Sequence, residues 1–448
     1  MEYNSEENLI KMAENALEVA AKQRVAAEAF LLYERELGLE VAGGEVQSLK
    51  QAEQAGMGIR VIKAGRVGFA YSSDLSDRAI RETVDHAIAI ADYTSTDKYN
   101  VLPRGKFTYP VVETYDQGIN EASVEEKIAL ARQAEDFARA HDNRVTVVER
   151  SAYDDNEFIC VIMNTEGICA AGRGNYCGQH IYLVAEEDGD AQSGFAMRSS
   201  QHFSDLSPRE LGIEAAIRAG RSLGARSIAS AHLPCIMEPA VTARFMTILA
   251  QLVDAGAVQK NKSMLAGKLG QIVAAPVVNL VDDGLDPAGI PFPFDAEGVP
   301  SSRNIIIENG ILRSFLYDTY TAEKDGVQST GNAQRASFRA LPGVGATNFT
   351  ITGPNRPEAL ISDLEEGFYI TDVMGMHTAN PVSGDFSVGA AGIMIEKGRL
   401  TFPVRGITIA GNLGQLLQDV NAVGNDLRFF GSRGASTIRL KNLSIGGK

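Results

Sequence analysis

The sequence predicts an α+β protein in two parts. A duplicated domain of helices and antiparallel strands, residues 1–230, precedes a mainly antiparallel, β-barrel-like domain, residues 231–448. Two observations carry this prediction. Helix and strand signals in the first half occur twice in the same order, and from residue 271 onward strand and turn signals dominate. At 448 residues the chain is also long enough for two or three domains.

The first repeat is expected over about residues 1–95. Residues 6–21 predict a helix, because their apolar residues share one face: Leu9, Met12, Ala16, Leu17 and Ala20. Strands are expected over 26–44 and 57–74, with a polar connection between them. A second helix is expected from Ser76, which ends the segment SDLS.

The second repeat is expected over about residues 122–230, after a polar linker that contains two prolines. A helix is predicted over 123–141, and three strands follow, at 143–153, 157–172 and 178–188. A second SDLS segment, residues 204–207, again precedes a helix. Pro208 follows it directly, in the first turn of a helix where proline is favoured.

The C-terminal part reads as strands joined by tight turns. The segments IENGIL and IEKGRL place turn residues between apolar or β-branched residues, which is a strong hairpin signal. Only three helices are expected here, near residues 239–254, 319–325 and 413–420. We therefore predict a barrel or a sandwich.

Charge and hydropathy exclude several classes of partner. The chain has 42 Lys and Arg against 57 Asp and Glu, a formal net charge of −15 that disfavours direct binding of nucleic acid or an anionic membrane. No run of 18 apolar residues predicts a membrane span. The N-terminal segment is acidic and amphipathic, unlike a secretory signal, so we expect a cytoplasmic protein.

Familiar catalytic and metal-binding motifs do not occur. None of the six histidines is followed by Glu, and the chain has no CxxC pair, nucleophile elbow or P-loop. The four cysteines are expected to be reduced structural thiols: Cys160, Cys169, Cys177 and Cys235. An acidic group could bind a hard cation, but turn chemistry explains it better: Asp282, Asp283, Asp286, Asp295 and Glu297.

Several blocks in the C-terminal half occur in a characteristic order: NKSMLAGKLGQIV, VDDG, PFDAEGVPSSRNIIIENGIL, STGNAQR, NPVSGDFSVGAAGIMIEKGRL and FPVRGITIAGNLGQLLQDVNAVGNDL. This series, which covers most of residues 235–430, resembles the TldD/PmbA family, also called modulator of DNA gyrase. The resemblance implies a duplicated α+β part followed by a β-barrel-like domain. It also implies a metallopeptidase in which a TldD-type chain pairs with a TldE (PmbA) chain and cuts unfolded or extended peptides.

The resemblance fails at the metal site. TldD-type chains carry a HExxxH helix and a distant Cys, and here those positions fall on about Thr247, Ile248, Leu252 and Arg433. The chain therefore resembles the TldE/PmbA-type subunit. We expect no metal and no cofactor in this chain, no activity of the chain alone, and a TldD-like metallopeptidase subunit as partner. The alternatives are a stand-alone homodimeric peptide- or protein-binding protein and an independent hydrolase with an unrecognised site.

Two loops are predicted to lie beside the groove that takes a peptide substrate. The first contains Asp295 and Glu297, which we interpret as residues that shape the loop rather than as catalytic carboxylates. The second supplies hydrogen-bonding groups and a glycine that admits close backbone approach: Ser329, Thr330, Gly331 and Asn332. A solvated turn is the alternative for the second loop.

Overall fold

The computed structural model describes residues 5–447. Ten α-helices are formed in this part: α1 (Glu6–Lys22), α2 (Asp77–Ala91), α3 (Gln117–Glu121), α4 (Val124–His141), α5 (Pro208–Gly220), α6 (Pro239–Leu252), α7 (Ala255–Gln259), α8 (Thr319–Asp325), α9 (Pro357–Ser362) and α10 (Leu413–Asp419).

The strands of the N-terminal half are β1 (Ala26–Ala42), β2 (Glu45–Lys63), β3 (Arg66–Ser72), β4 (Val145–Asn164), β5 (Cys169–Glu187) and β6 (Asp190–Ser200). Those of the C-terminal half are β7 (Ala231–Met237), β8 (Leu280–Asp283), β9 (Arg303–Glu308), β10 (Ile311–Leu312), β11 (Ala333–Gln334), β12 (Gly343–Val344), β13 (Phe349–Ile351), β14 (Glu366–Met374), β15 (Asp385–Glu396), β16 (Arg399–Asn412), β17 (Val420–Val423), β18 (Arg428–Phe430), β19 (Arg433–Ala435) and β20 (Ile438–Gly446).

The N-terminal half is one antiparallel sheet with its long helices on a single face. The strand order is β3-β2-β1-β4-β5-β6, and the two repeats meet where β1 pairs with β4. Odd-numbered strand residues such as Leu31 and Val161 pack under α1 and α2. Even-numbered residues such as Phe30 and Cys160 pack on the other face, where the C-terminal domain lies. This alternation follows from the two-residue period of a strand.

Two glycines show that the repeats are built alike. In the first repeat a Cβ on Gly68 of β3 would lie 1.8 Å from the Ala87 carbonyl oxygen of α2. In the second, a Cβ on Gly194 of β6 would lie 2.0 Å from the Ala215 carbonyl oxygen of α5. Each repeat thus needs a glycine where its last strand meets its second helix. The predicted duplicated α+β fold is confirmed.

The predicted strand boundaries need correction in both repeats. Residues 45–56, predicted as a polar connection, are the first part of β2 and pair with β1 from Glu45 onward. They are largely exposed, so no apolar alternation marks them as strand. In the second repeat β4 and β5 are each continuous, and the turn between them lies at residues 165–168, inside one of the predicted strands.

The C-terminal half contains a closed five-stranded barrel. Strands β16, β15, β14, β7 and β20 are hydrogen-bonded in that order, and β20 pairs back onto β16. Helix α6 packs against β14 of the barrel and against β18 and β19 of a second sheet, which has the order β10-β9-β8-β13-β19-β18. Phe245 of α6 meets Phe386 of β15 edge to face at 5.3 Å between ring centroids. The predicted barrel-like domain is confirmed.

Two smaller expectations were incomplete. Within the described residues the C-terminal half has five α-helices rather than three, because α7 and α9 are too short to show a helical period. Three of the four cysteines are buried as expected, whereas Cys169 is exposed. None of the helices found in residues 5–447 has the length and apolar character needed to cross a membrane.

Candidate functional site

Asp295 is buried and holds the first predicted loop together. Its Oδ1 accepts hydrogen bonds from the backbone N–H groups of Glu297 at 2.9 Å and Val299 at 3.0 Å. Its Oδ2 accepts a third, from the Ala333 N–H at 2.9 Å. Asp295 therefore ties its own turn to the second predicted loop, as a turn-forming Asp does.

Glu297 lies in a buried set of charges that joins the two halves of the protein. Its carboxylate forms an ion pair with Arg60 of β2 at 2.7 Å and accepts the Thr319 N–H at 2.8 Å. Arg60 also pairs with Glu28 of β1 at 2.6 Å, and Glu28 in turn pairs with Arg335. We call Glu28, Arg60, Glu297 and Arg335 the buried charge bridge. Two acids and two guanidiniums balance, which is what burial of charge requires.

The two carboxyl groups of the first loop titrate in opposite directions. Burial, followed by repulsion from the Glu297 carboxylate, raises the pKa of Asp295 to about 8. Burial also acts against the charged form of Glu297, but attraction to Arg60 and hydrogen bonds from Thr319 and Arg60 together lower the pKa of Glu297 below its usual value. Glu297 is therefore the carboxylate that carries charge in this loop.

Asn332 is fully buried and bonded on both sides of its amide. Its Nδ2 donates to Asp282 Oδ2 at 2.6 Å and to the Gly345 carbonyl at 3.1 Å. Its Oδ1 accepts from Asn304 at 3.1 Å and from the Thr330 hydroxyl at 2.7 Å. We call the hydrogen bonds centred on Asp295, Glu297 and Asn332 the loop network.

The remaining predicted residues of the second loop are also bonded within the chain. The Ser329 hydroxyl donates to the Tyr317 carbonyl at 3.1 Å, and the Thr330 hydroxyl accepts the Tyr317 N–H at 2.8 Å. Gly331 has a φ of 72°, and a Cβ there would lie 2.4 Å from the Pro300 carbonyl oxygen. The polar groups stabilise the loop, and the close approach that glycine permits is to Pro300.

A cavity of about 450 Å³ lies beside this network, between the N-terminal sheet and the C-terminal loops. Of the six predicted groove residues, only Asp295 lines it. The cavity is walled instead by aromatic side chains that sequence reasoning did not single out: Phe30, Phe158, Tyr176, Phe292 and Phe294. The motif PFPF, which supplies two of them, was the available signal. The groove role of the six residues stays a prediction.

The positions to which the resemblance assigns the metal motif of TldD-type chains lie on α6 and at the start of β19. Thr247 is exposed, and its hydroxyl donates to the Ala243 carbonyl at 3.2 Å, while Ile248 and Leu252 are buried in the apolar core. Arg433 donates to the Thr347 carbonyl at 3.3 Å and to the Ser432 hydroxyl at 2.9 Å. We call Thr247, Ile248, Leu252 and Arg433 the α6 site.

Comparison with known proteins places the whole chain in one family. Residues 27–91, 118–223 and 230–447 match the models described as PmbA/TldA metallopeptidase domain 1, central domain and C-terminal domain. The metalloprotease PmbA of Escherichia coli O157:H7 is 30% identical over 97% of this chain and 95% of its own length. The chain belongs to the TldD/PmbA family.

Solved structures of TldD/PmbA proteins have the same fold. A proposed modulator of a DNA gyrase from Thermotoga maritima superposes with a TM-score of 0.91 at 30% identity, covering 98% of this chain and all of that one. TldE from Thermococcus kodakarensis superposes with a TM-score of 0.89 at 25% identity, covering 98% and 99%. The family resemblance inferred from the sequence motifs is confirmed.

The α6 site of this TldD/PmbA chain does not fit a transition metal. Zinc requires thiolate, imidazole or carboxylate ligands, and the α6 site offers one hydroxyl, two alkyl side chains and a guanidinium. The guanidinium of Arg433 would also repel a cation. Across residues 5–447, no three His, Cys, Asp or Glu side chains are grouped so that they could hold a metal ion. No reaction step through a metal is therefore assigned to this chain.

Proposed function

We propose that this chain is the non-catalytic, TldE/PmbA-like subunit of a TldD-type metallopeptidase that acts on unfolded or extended peptides. One observation carries the proposal. The chain has the family fold over its whole length, yet the α6 site has none of the ligands that the resemblance assigns to TldD-type chains. The metal and the general base would then come from the partner chain.

The carboxyl groups near the candidate groove support this division of roles. Asp295 and Glu297, the acidic residues of the first predicted loop, each already accept hydrogen bonds or an ion pair from within the chain. A general base must have a free lone pair within reach of the attacking water. These two residues serve the loop network instead.

A subunit that has no catalytic residues can still contribute to the enzyme if it helps to enclose the active site of its partner. A chamber formed between two related chains would exclude folded proteins and admit extended ones, so access rather than sequence would select the substrate. Extended peptides can bind by main-chain hydrogen bonds along a strand edge, which needs little sequence preference. The partner surface should be at least about 1,600 Å² in total, as in stable specific complexes.

Sedimentation of this chain with a HExxxH-bearing relative from the same genome tests the assembly. We expect a heterodimer, or a homodimer when the chain is alone, since related subunits can use the same patch on each side. A chain that stays monomeric at micromolar concentration and never binds the relative would contradict the proposal. A homodimer that binds peptide but ignores the relative would favour the stand-alone binder.

A further inference from the structure

A second cavity, of about 630 Å³, separates the second N-terminal repeat from the C-terminal barrel. Four arginines line it: Arg218 and Arg221 near the end of α5, Arg244 on α6 and Arg405 on β16. We call it the arginine cleft. The only acidic side chain among its lining residues is Asp372. A cationic cleft in a chain with a net charge of −15 is unexpected from composition alone.

Each of the four arginines pairs with a carboxylate, Arg244 with Asp372 at 3.1 Å and Arg405 with Asp190 at 2.9 Å, but at the α5 end the neutralisation is incomplete. Glu214 pairs with Arg218 at 2.7 Å, but it also pairs with Arg198 at 2.6 Å and with Arg428 at 3.1 Å. One carboxylate thus serves three guanidiniums. Burial, together with repulsion from Arg221 and Arg428, lowers the pKa of Arg218 despite the attraction of its carboxylates. The α5 end of the cleft therefore has surplus positive charge.

Guanidinium donors also remain unused within the described residues. A guanidinium has five N–H donors in a planar fork. Arg221 bonds to both oxygens of Glu238, but through Nη2 alone, at 2.9 and 2.8 Å. Its Nε is buried and has no acceptor in residues 5–447. A buried donor without an acceptor is costly, and an anion in the cleft would supply one.

The barrel wall of the cleft is irregular in a way that presents Arg405. Strand β16 places Arg405 and Gly406 opposite the single residue Ala391 of β15, and Gly406 has a φ of 68°. On the next strand Thr371 is left out of the β14–β15 pairing, since Ile370 faces Gly392 and Asp372 faces Ala391. Such bulges redirect a side chain and interrupt the backbone pairing. The wall thus presents the Arg405 guanidinium, which pairs with Asp190 at 2.9 Å, while the Arg405 backbone N–H donates to the Arg226 carbonyl at 3.1 Å.

The rest of the cleft is apolar enough to accept more than a small anion. Phe195 of β6 and Met374 of β14 are both exposed there, at 39% and 56%. Arginines at a helix C-terminus can simply complement the helix dipole, which accounts for Arg218 and Arg221. Arg244 and Arg405 come from other elements, where each pairs with one half- or partly exposed carboxylate, and both reach the same cleft.

We propose that the arginine cleft binds the carboxylates of an acidic, extended peptide. The inference rests on the proposed function in that the ligand is a peptide. Guanidinium forks bind carboxylates bidentately, the Nε of Arg221 lacks an acceptor within the described part of the chain, and the exposed apolar side chains can cover the aliphatic parts of a peptide. A chamber that selects its substrates by access alone would then also prefer acidic segments, because the arginine cleft binds them.

Fluorescence anisotropy with the isolated chain tests this proposal. Two labelled hexapeptides of alternating residues, one Glu-Ala and one Lys-Ala, are titrated at low and at moderate salt. We expect at least about tenfold tighter binding of the acidic peptide, weakening as salt rises because exposed charges are screened. Equal binding of the two peptides would overturn the proposal. So would displacement of the acidic peptide by inorganic phosphate at the peptide's own concentration, since the site would then be a small-anion site.

Paired variants locate the binding site. The double variant Arg244→Gln with Arg405→Gln removes two guanidiniums that are half exposed, 49% each, so the fold should persist. We expect it to lose about tenfold in affinity for the acidic peptide. The matched control is Arg78→Gln with Arg104→Gln, which removes two exposed, singly paired arginines elsewhere. Equal losses in both double variants would show only non-specific attraction and would contradict a defined cleft.

The outcome is separable from that of the proposed function. Cleavage of a neutral peptide by the assembled pair reports on the subunit role and does not need the cleft. If the pair cleaves neutral peptide but the chain shows no preference for acidic peptide, the cleft proposal fails and the subunit proposal stands. If the pair never forms but the chain binds acidic peptide through the arginine cleft, the reverse holds.

Discussion

The loop network and the α6 site use polar residues in opposite ways. The loop network contains carboxylates and amides of the kind that act as catalytic residues, and their polar atoms are largely hydrogen-bonded within the chain. The α6 site occupies the helix to which the family resemblance assigns metal chemistry, and it is built from Thr, Ile, Leu and Arg. The carboxylates and amides of the loop network thus stabilise the loops. The α6 site, where the resemblance places a metal, has no metal-binding side chains.

This difference shows that the polar residues of the loop network maintain the fold. The buried charge bridge joins β1 and β2 to the loops beside the barrel, so it fixes the relative position of the two halves. The α6 site carries no such constraint beyond packing. We expect substitutions in the two regions to separate accordingly.

The largest effect is expected from Glu297→Ala. It leaves Arg60 with less compensation in a buried site, which costs about 3–5 kcal/mol in comparable buried pairs. Urea denaturation measures the loss in the free energy of unfolding. The control is Glu82→Ala, which removes an exposed partner of Arg78 and should lie near the detection limit. Similar losses in the two variants would show that the bridge is not a strong interdomain link.

Asn332→Ala should cost about 1–3 kcal/mol, because it leaves Asp282 and Asn304 short of partners in a buried site. Gln328→Ala, an exposed position nearby, is the control for stability.

Asn332→Ala combined with a replacement of Gly331 tests the prediction that the second loop lies beside the peptide groove. We expect slower peptide cleavage by the assembled pair. A folded variant that cleaves at the wild-type rate would remove the second loop from the groove.

The pH dependence of stability should contain a contribution from Asp295. Its pKa rises from 3.8 to about 8 on folding, so between these values the folded chain keeps a proton that the unfolded chain releases. Stability from this group is therefore complete below about pH 4 and is lost as the pH rises towards 8. Asp295→Asn should flatten that decline relative to wild type. Asp136→Asn, on the exposed side of α4, should leave the decline as it is.

The smallest effect is expected at the α6 site. Thr247→Ala changes an exposed helix position whose hydroxyl bonds only to its own helix, so stability should change by less than about 0.5 kcal/mol. Elemental analysis of wild type and variant should find no stoichiometric zinc or iron in either. About one tightly held transition metal per wild-type chain would contradict the inference that the α6 site does not bind metal.

The sequence predicted repeating and periodic features and missed those set by distant partners. The two SDLS segments located helices that begin at Ser76 and Ser207 caps, because capping is local. The exposed start of β2 was missed, since only its pairing with β1 makes residues 45–56 a strand. For the site, the loop motifs located Glu297 and Asn332. Their burial depends on Arg60 and Asp282, which no local pattern connects to them.

The most direct test of the subunit role is peptide cleavage by purified components. We predict that this chain alone, with zinc added, does not cleave an unfolded peptide, and that the pair with a HExxxH-bearing relative does. Replacing the Glu of the relative's motif by Gln should abolish cleavage by the pair, while this chain is unchanged. Cleavage by this chain alone, or by the pair that carries the substituted relative, would contradict the proposal and would place a catalytic site within this chain.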